Sequence, residues 1–496
     1  MSQSAFPPMD FARFVWRRST KDPSRYVREA HGGEVFEDIF NRFLHGEQTL
    51  SLGVELRITS PVKTTDLLDL ARSAWIATRL EIPTIAASTE QDRKGDTFIS
   101  YRALKDEDEA RAWAEKTVVL YEETDDLMEA RVEIGKIPLP IPSGEQTFIY
   151  IVPRSERSYG MLLYTHHTPF DGAASKIVLT KYLKVLANYL ADSSLLSFSG
   201  YKWGEEVANL LPPTTEILGP NEDKSGEGYQ RTLGTVMQEM ATGMPCAYGF
   251  KVRAIGPGTT RRVWHTFSVA ESTRMIDNAR SLGFTINHIA QAALCLICVD
   301  DNPPTDSTPA DAAFVFNGLV DGRNRLLGKY SSRDGYPGYA LAMSPVIVRV
   351  SVVTSSASLG TKGQLLRVAE VVKQEYKKQR DFPALLAIAS QESELMFAGL
   401  KAGTAPPPPP STGPFYAADG QGELYLDAVY NDKRGQPVIE VVDFFQSLNK
   451  HDPGPFFRGY SWAGKFTLSL DYNEFAMPTE VVQGFLNKWV ELLSLL

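Results

Sequence analysis

The succession of apolar and polar residues predicts strands and helices mixed along the whole chain. Leu50–Ile58 reads L-S-L-G-V-E-L-R-I, the two-residue alternation of a strand. Residues 67–79 shift to the helical period, with Leu67, Leu68, Leu70, Ala71, Ala74 and Trp75 on one face and Thr64-Thr65-Asp66 as the expected cap. Short strands are expected at 84–87 and 97–101, followed by a solvated acidic helix at 106–117. Two apolar runs, 147–152 and 160–164, read as strands joined by a polar turn. A helix is expected over 173–191, where Leu179, Leu183, Leu186 and Leu190 form one buried stripe. Residues 1–45 are mixed in charge and are expected to be irregular, anchored by Phe11, Phe14, Trp16, Phe36, Phe40 and Phe43.

The second half repeats the mixture. Strands are expected at 262–269, 312–320, 344–353, 424–430, 438–442 and 465–471. Helices are expected at 271–283, 287–299, 365–379 and 479–493, with Gly283 closing the first of them. Pro212-Pro213, Gly219-Pro220 and the polar run 221–228 mark a linker, which places one domain at 1–214, the linker at 215–245 and a second domain at 246–496. Five consecutive prolines at 406–410 predict an exposed polyproline spacer.

Length supports that division, because 496 residues exceed what one hydrophobic core usually serves. A content of 43% hydrophobic and 22% charged residues is that of a globular protein in water. The net charge of −9 and the lack of a basic, aromatic-laced patch argue against a nucleic-acid partner. No apolar run reaches ~18 residues, so no membrane span is expected. The N-terminal stretch lacks the basic and apolar regions of a signal peptide. Three cysteines cannot build a disulfide framework, which points to a reducing, cytoplasmic setting. Cys295 and Cys298 have a metal-like spacing, but they fall inside an apolar helical run and are expected in the core.

The candidate chemistry lies at residues 161–172, M-L-L-Y-T-H-H-T-P-F-D-G. An apolar strand ends at Thr165, so His166 and His167 sit in the turn at its end, ahead of a helix. A neutral imidazole there can take a proton from an attacking hydroxyl, an effect on the order of 10²–10⁴-fold. Asp171, four residues after His167, can accept backbone hydrogen bonds or pair with an arginine and so fix the turn. Gly172 permits a close approach or a positive φ before the helix. Adjacent histidines on an extended segment point to opposite faces, and no H-E-x-x-H accompanies them, so no metal is expected. No G-x-S-x-G is present to supply a serine nucleophile. Two histidines that merely pack are the alternative; a general base without a protein nucleophile is the best reading.

His166-His167-Thr168-Pro169-Phe170-Asp171-Gly172 resembles the HHxxxDG motif of the chloramphenicol-acetyltransferase-like superfamily. That superfamily includes peptide-synthetase condensation domains, the plant acyl-CoA-dependent acyltransferases and the fungal trichothecene acetyltransferases. Residues 271–299, the segment V-D-G-R-N-R-L at 320–326 and W-A-G-K-F-T-L-S-L-D-Y-N-E-F at 462–475 extend the resemblance over essentially the whole chain. Length, double histidine and C-terminal pattern resemble the fungal trichothecene 15-O-acetyltransferase branch. The plant D-F-G-W-G is absent; Asp419-Gly420-Gln421-Gly422 and Asp443-Phe444-Phe445 are the nearest stretches.

The resemblance implies an α/β fold of two chloramphenicol-acetyltransferase-like domains, each a mixed sheet flanked by helices, with a tunnel between them. It implies His167 as base, Asp171 as structural, His166 and Gly172 as supporting, and Arg323 as the salt-bridge partner of Asp171. It implies acetyl-CoA or another acyl-CoA as co-substrate rather than a tightly bound cofactor, a small hydroxylated acceptor such as a sesquiterpenoid, and a monomer. A carrier-protein-bound acyl donor is the alternative within the same motif. A ligand-binding or cyclising relative is the alternative outside acyl transfer. The oxyanion donors cannot be named from the sequence.

Overall fold

The apolar run ahead of the two histidines forms the strand Ser158–Thr165, buried at every position after the first. It is so uniformly apolar because both of its faces are covered. Tyr159, Met161 and Leu163 face one core cluster, while Leu162 and Tyr164 face another built around the helix Leu127–Ile134. The strand lies between Leu50–Ile58 and Thr147–Ser155, antiparallel to both. The computed structural model describes residues 6–407 and 412–496.

This strand belongs to a six-stranded mixed sheet ordered Val429–Asn431, Pro437–Leu448, Leu50–Ile58, Ser158–Thr165, Thr147–Ser155, Val118–Leu120. Helices Thr64–Glu81 and Gly172–Ala191 pack on it through Leu67, Trp75, Val178, Tyr182 and Leu186. A second, four-stranded sheet runs Phe415–Gln421, Phe456–Trp462, Lys465–Asn473, Thr260–Thr266. Its core is closed by helices Val269–Ser281, Ile286–Asp301, Gly360–Arg380 and Thr479–Ser494. The fold is thus α/β with two lobes, each a mixed sheet with flanking helices.

The lobes share strands. Pro437–Leu448 belongs to the C-terminal half, yet it pairs with Leu50–Ile58 in the N-terminal sheet. Eight residues later the chain re-enters the C-terminal sheet at Phe456. The crossing is fixed by buried charge. Lys450 Nζ lies 2.5 Å from Glu47 Oε1, and Arg131 donates to Thr260 O at 3.0 Å and Leu448 O at 2.9 Å. The stretch 215–245, read as a linker, contains the helix Gly226–Gly243, which buries Tyr229, Leu233 and Val236 in a third cluster with Leu326, Tyr336 and Leu386.

Several local expectations are corrected. Within the 1–45 region the described residues form strands at Arg17–Arg18 and Arg25–Glu29 and a helix at Gly33–Phe43. Val35, Phe36, Ile39, Phe40 and Phe43 recur at the helical period there, and the helix buries Glu34, Glu37 and Asp38 along with Val35, Phe36 and Ile39. Pro83 opens a 3-10 turn, Pro83–Ala86, where a strand is expected at 84–87. The β-branched run at 344–353 divides into the strand Val346–Arg349 and the helix Val350–Ser355. Residues 312–320 fall into two short strands, Ala313–Phe316 and Leu319–Asp321. Thr64 is the first helical residue rather than a cap. Gly283 closes its helix with φ +79, as its position suggests. Of the proline run, 408–410 lie outside the described residues, as do residues 1–5 of the N-terminal stretch; Pro406 and Pro407 are exposed.

Candidate active site

The turn leaves the sheet at Thr165 and enters the helix Gly172–Ala191 seven residues later. Asp171 is the N-cap of that helix, and Oδ1 accepts from the amides of Ala173 at 3.0 Å and Ala174 at 2.7 Å. Its carboxylate is fully buried and also reaches the other lobe. Arg323 donates through Nη2 to Oδ1 at 2.8 Å and through Nη1 to Oδ2 at 3.0 Å, and the Ala340 amide donates to Oδ2 at 2.8 Å.

Arg323 uses every N–H it has. Besides Asp171, it reaches Tyr336 O at 3.0 Å through Nε, Asp321 Oδ1 at 3.1 Å through Nη1 and Gly338 O at 2.7 Å through Nη2. Burial alone would lower its pKa, but the carboxylates of Asp171 and Asp321 outweigh that and push it up. Asp321 shows the converse: burial would raise its pKa, yet the Arg323 charge holds it below the ordinary carboxylate value. The planar fork of an arginine is what such a set of three carboxylate oxygens and two carbonyls requires.

The two histidines are placed differently. His166 is enclosed: its Nδ1 accepts from the Thr168 amide at 3.1 Å, and its Nε2 is buried without a hydrogen-bond partner. Burial, with a smaller contribution from Arg42, depresses its pKa to about 3, so the ring is neutral. His167 lines a cavity of about 130 Å³. Its Nδ1 is enclosed, 3.7 Å from Glu37 Oε1, and makes no hydrogen bond. The Tyr339 hydroxyl donates to the same Glu37 oxygen at 3.1 Å, with its ring 5.9 Å from the imidazole. Burial raises the pKa of Glu37, against the pull of His167 and Tyr339.

Gly172 does not have a positive φ; its role is room. A Cβ there would come within 2.8 Å of Gln446 Nε2, which donates to Gly172 O at 2.8 Å and Ser175 Oγ at 3.1 Å. Gly33 has the same kind of constraint, since its Cβ would lie 2.1 Å from the Tyr339 ring.

Both lobes line the cavity. Glu37, His167 and Lys176 come from the N-terminal half; Asp321, Tyr425 and Arg458 come from the C-terminal half. Glu37, Tyr339, Lys176 and the Asp419–Arg458 pair were not singled out by sequence reasoning as site residues. The Gly32-Gly33 pair was the available signal for the first two, because small residues there admit the tyrosine ring beside Glu37. A larger cavity, about 520 Å³, opens elsewhere on the N-terminal lobe beside Arg25, Tyr101 and Lys116. It contains no motif residue; Arg25, Arg102 and Lys116 pair with Glu90, Asp22 and Glu145, and Arg79 donates to the Tyr101 hydroxyl and to Arg102 O. Size alone therefore does not mark the site.

The family described as 15-O-acetyltransferase Tri3 matches residues 6–389. The chain is 23% identical over 524 residues to the trichothecene 15-O-acetyltransferase TRI3 of Fusarium sporotrichioides, covering 99% of this chain and 98% of that one. A solved structure of TRI3 trichothecene 15-O-acetyltransferase from the same fungus superposes with a TM-score of 0.86 at 20% identity, covering 99% of each chain. The first condensation domain of the calcium-dependent antibiotic synthetase superposes with a TM-score of 0.59 at 12% identity, over 94% of this chain and 96% of that one. Among the described residues, no single helix is long and apolar enough to cross a membrane.

Proposed function

The chain belongs to the 15-O-acetyltransferase Tri3 family and is an acyltransferase, and from that premise we propose that it acetylates a hydroxyl of a trichothecene-type sesquiterpenoid, with acetyl-CoA as donor and His167 as general base. The observation that carries the reading is the placement of His167. It faces a cavity lined by both lobes, and its Nδ1 is turned to Glu37. A carboxyl oxygen beside Nδ1 favours the tautomer protonated there, which leaves the lone pair of Nε2 for the substrate.

The acceptor hydroxyl donates to Nε2, and its oxygen attacks the thioester carbonyl as the proton moves to the imidazole. The imidazolium forms 3.7 Å from Glu37, whose partial negative character opposes the cost of a buried cation. The tetrahedral intermediate collapses, the C–S bond breaks, and the imidazolium returns its proton to the departing thiolate. Asp171 and Arg323 take no part in these transfers; they hold the turn that presents His167.

The test is thiol release from acetyl-CoA with a panel of trichothecenes bearing a free 15-hydroxyl, with the acetylated product identified by mass. Turnover with free acetyl-CoA is expected. Release seen only with an acetylated carrier protein, or with no hydroxyl acceptor at all, would sink the reading.

A further inference from the structure

Lys176 lies one turn into the motif helix, on the same face as Ala173, and lines the cavity that holds His167. It is only 2% exposed. A lysine buried to that degree is ordinarily matched by a carboxylate. Among the described residues, this one makes no hydrogen bond and no ion pair; the Phe444 ring lies 5.9 Å from Nζ. The carboxylates nearby are engaged elsewhere: Asp419 accepts from Arg458 Nη1 at 2.6 Å, and Asp321 from Arg323 Nη1 at 3.1 Å. Burial lowers the pKa of Lys176, partly offset by Asp419.

Among the described residues, no carboxylate therefore touches the Lys176 ammonium, although the Asp171–Arg323–Asp321 group beside it sets two carboxylates against one guanidinium. An ammonium held in a closed space with its N–H groups unused is free to donate to an acceptor that appears there. The acceptor class proposed above is uncharged, so it has no anion to offer. The phosphates of CoA are separated from the thioester by the whole pantetheine arm, and a cavity of about 130 Å³ has room for little more than the reacting groups. The negative charge that does arise at this point is the oxygen of the tetrahedral intermediate.

We infer that Lys176 is the oxyanion donor of the acyl transfer, its ammonium hydrogen-bonding the thioester oxygen as the acceptor adds to the carbonyl carbon. This rests on the acyl-transfer reading of the site. In the step, the acceptor oxygen forms the new C–O bond, its proton goes to His167 Nε2, and the carbonyl π pair moves onto oxygen beside Lys176. Lys176 keeps its protons throughout. When the pair returns, the C–S bond breaks and the proton leaves His167 for the thiolate.

The experiment compares the full-length wild type with Lys176→Met and Lys176→Arg, using acetyl-CoA and a 15-hydroxylated trichothecene, and reads kcat, both KM values and Tm. Lys176→Met is expected to lower kcat by about 10²–10³-fold, the usual effect of losing one such donor, with both KM values nearly unchanged. Its Tm should equal or exceed that of wild type, because a buried ammonium with no hydrogen-bond partner has become an apolar side chain of similar length. Lys176→Arg should recover part of the lost kcat. A kcat for Lys176→Met within about threefold of wild type would overturn the inference. So would a fall in Tm that accounts for the lost activity, or a loss confined to the KM for acetyl-CoA. A wild type that acetylates no hydroxyl acceptor would overturn the functional reading and this inference with it.

Discussion

Asp171 and Arg323 stand 152 positions apart in the chain and meet through two parallel hydrogen bonds, 2.8 and 3.0 Å, with both side chains buried. The pair ties the N-cap of the motif helix in one lobe to the loop after Asp321 in the other. The position of the histidine turn is therefore set by the contact between lobes as much as by its own strand.

Arg323→Gln leaves Asp171 buried with its three backbone donors but no counter-charge. The expected loss is about 3–5 kcal/mol of unfolding free energy, since removing one partner strands the other. Urea denaturation of the variant measures it. Arg323→Lys should recover little, because an ammonium cannot serve three carboxylate oxygens and two carbonyls from one plane. A loss under about 1 kcal/mol in Arg323→Gln would mean that water replaces the guanidinium without penalty.

Gly172→Ala should destabilise by about 1–3 kcal/mol, the range for forcing extra volume into a packed site. The obstacle is the Gln446 amide, 2.8 Å from where the methyl would sit, held by bonds to Gly172 and Ser175 and buried. Truncating that side chain as well, in a Gly172→Ala, Gln446→Ala double variant, should cost less than the sum of the two single changes. Additive losses in the thermodynamic cycle would show that the collision is not the cause.

The fold around the site was legible where burial is uniform. The run ending at Thr165 is apolar on both faces, and the strand is where the pattern places it. The helix after Gly172 carries its leucine stripe into the core, with Asp171 as cap and salt-bridge partner at once. What could not be read depends on contacts between distant segments. The Gly33–Phe43 helix buries three carboxylate residues whose partners lie elsewhere: Arg28 for Glu34, Tyr339 for Glu37 and Thr97 for Asp38. A local pattern sees only polar residues on an apparently wet surface. Lys176 is the same case, since a lysine on a helix ordinarily faces solvent. The run at 344–353 has strand propensity throughout, yet only Val346–Arg349 finds a partner strand, in Ala313–Phe316.

Acid should destabilise this protein through its enclosed histidines. Burial depresses His166 to about 3, and His31, His288 and His451 to about 4. Because these folded values lie below the ordinary one, the unfolded chain binds the extra protons. Stability is therefore retained above about pH 6.5 and falls as pH drops toward 4, by about 1.4 kcal/mol per pH unit for each histidine in that window. His166→Asn, which keeps an acceptor for the Thr168 amide, should flatten the slope by that share. Urea midpoints at pH 7 and pH 5 in both proteins measure it; identical slopes would show that His166 is not enclosed as described.

Glu392 gives a dependence of opposite sign. Its Oε1 is buried without a partner, and burial raises its pKa to about 8. Folding favours the protonated form, so the stability it contributes is present below the ordinary carboxylate range and is lost as pH rises from about 4.5 to 8. Glu392→Gln removes that titration. The variant should gain on wild type in Tm between pH 6 and 8.5, and a constant difference across that range would contradict the assignment.

The central claim, proton transfer by His167, is tested most directly by single-turnover acetyl transfer from acetyl-CoA to a 15-hydroxylated trichothecene, comparing wild type with His167→Ala at equal Tm. The expected result is product in the wild type and a rate about 10²–10⁴-fold lower in the variant, the range for losing a positioned base. A His167→Ala protein that is folded and transfers acetyl within a few-fold of the wild-type rate would contradict the claim.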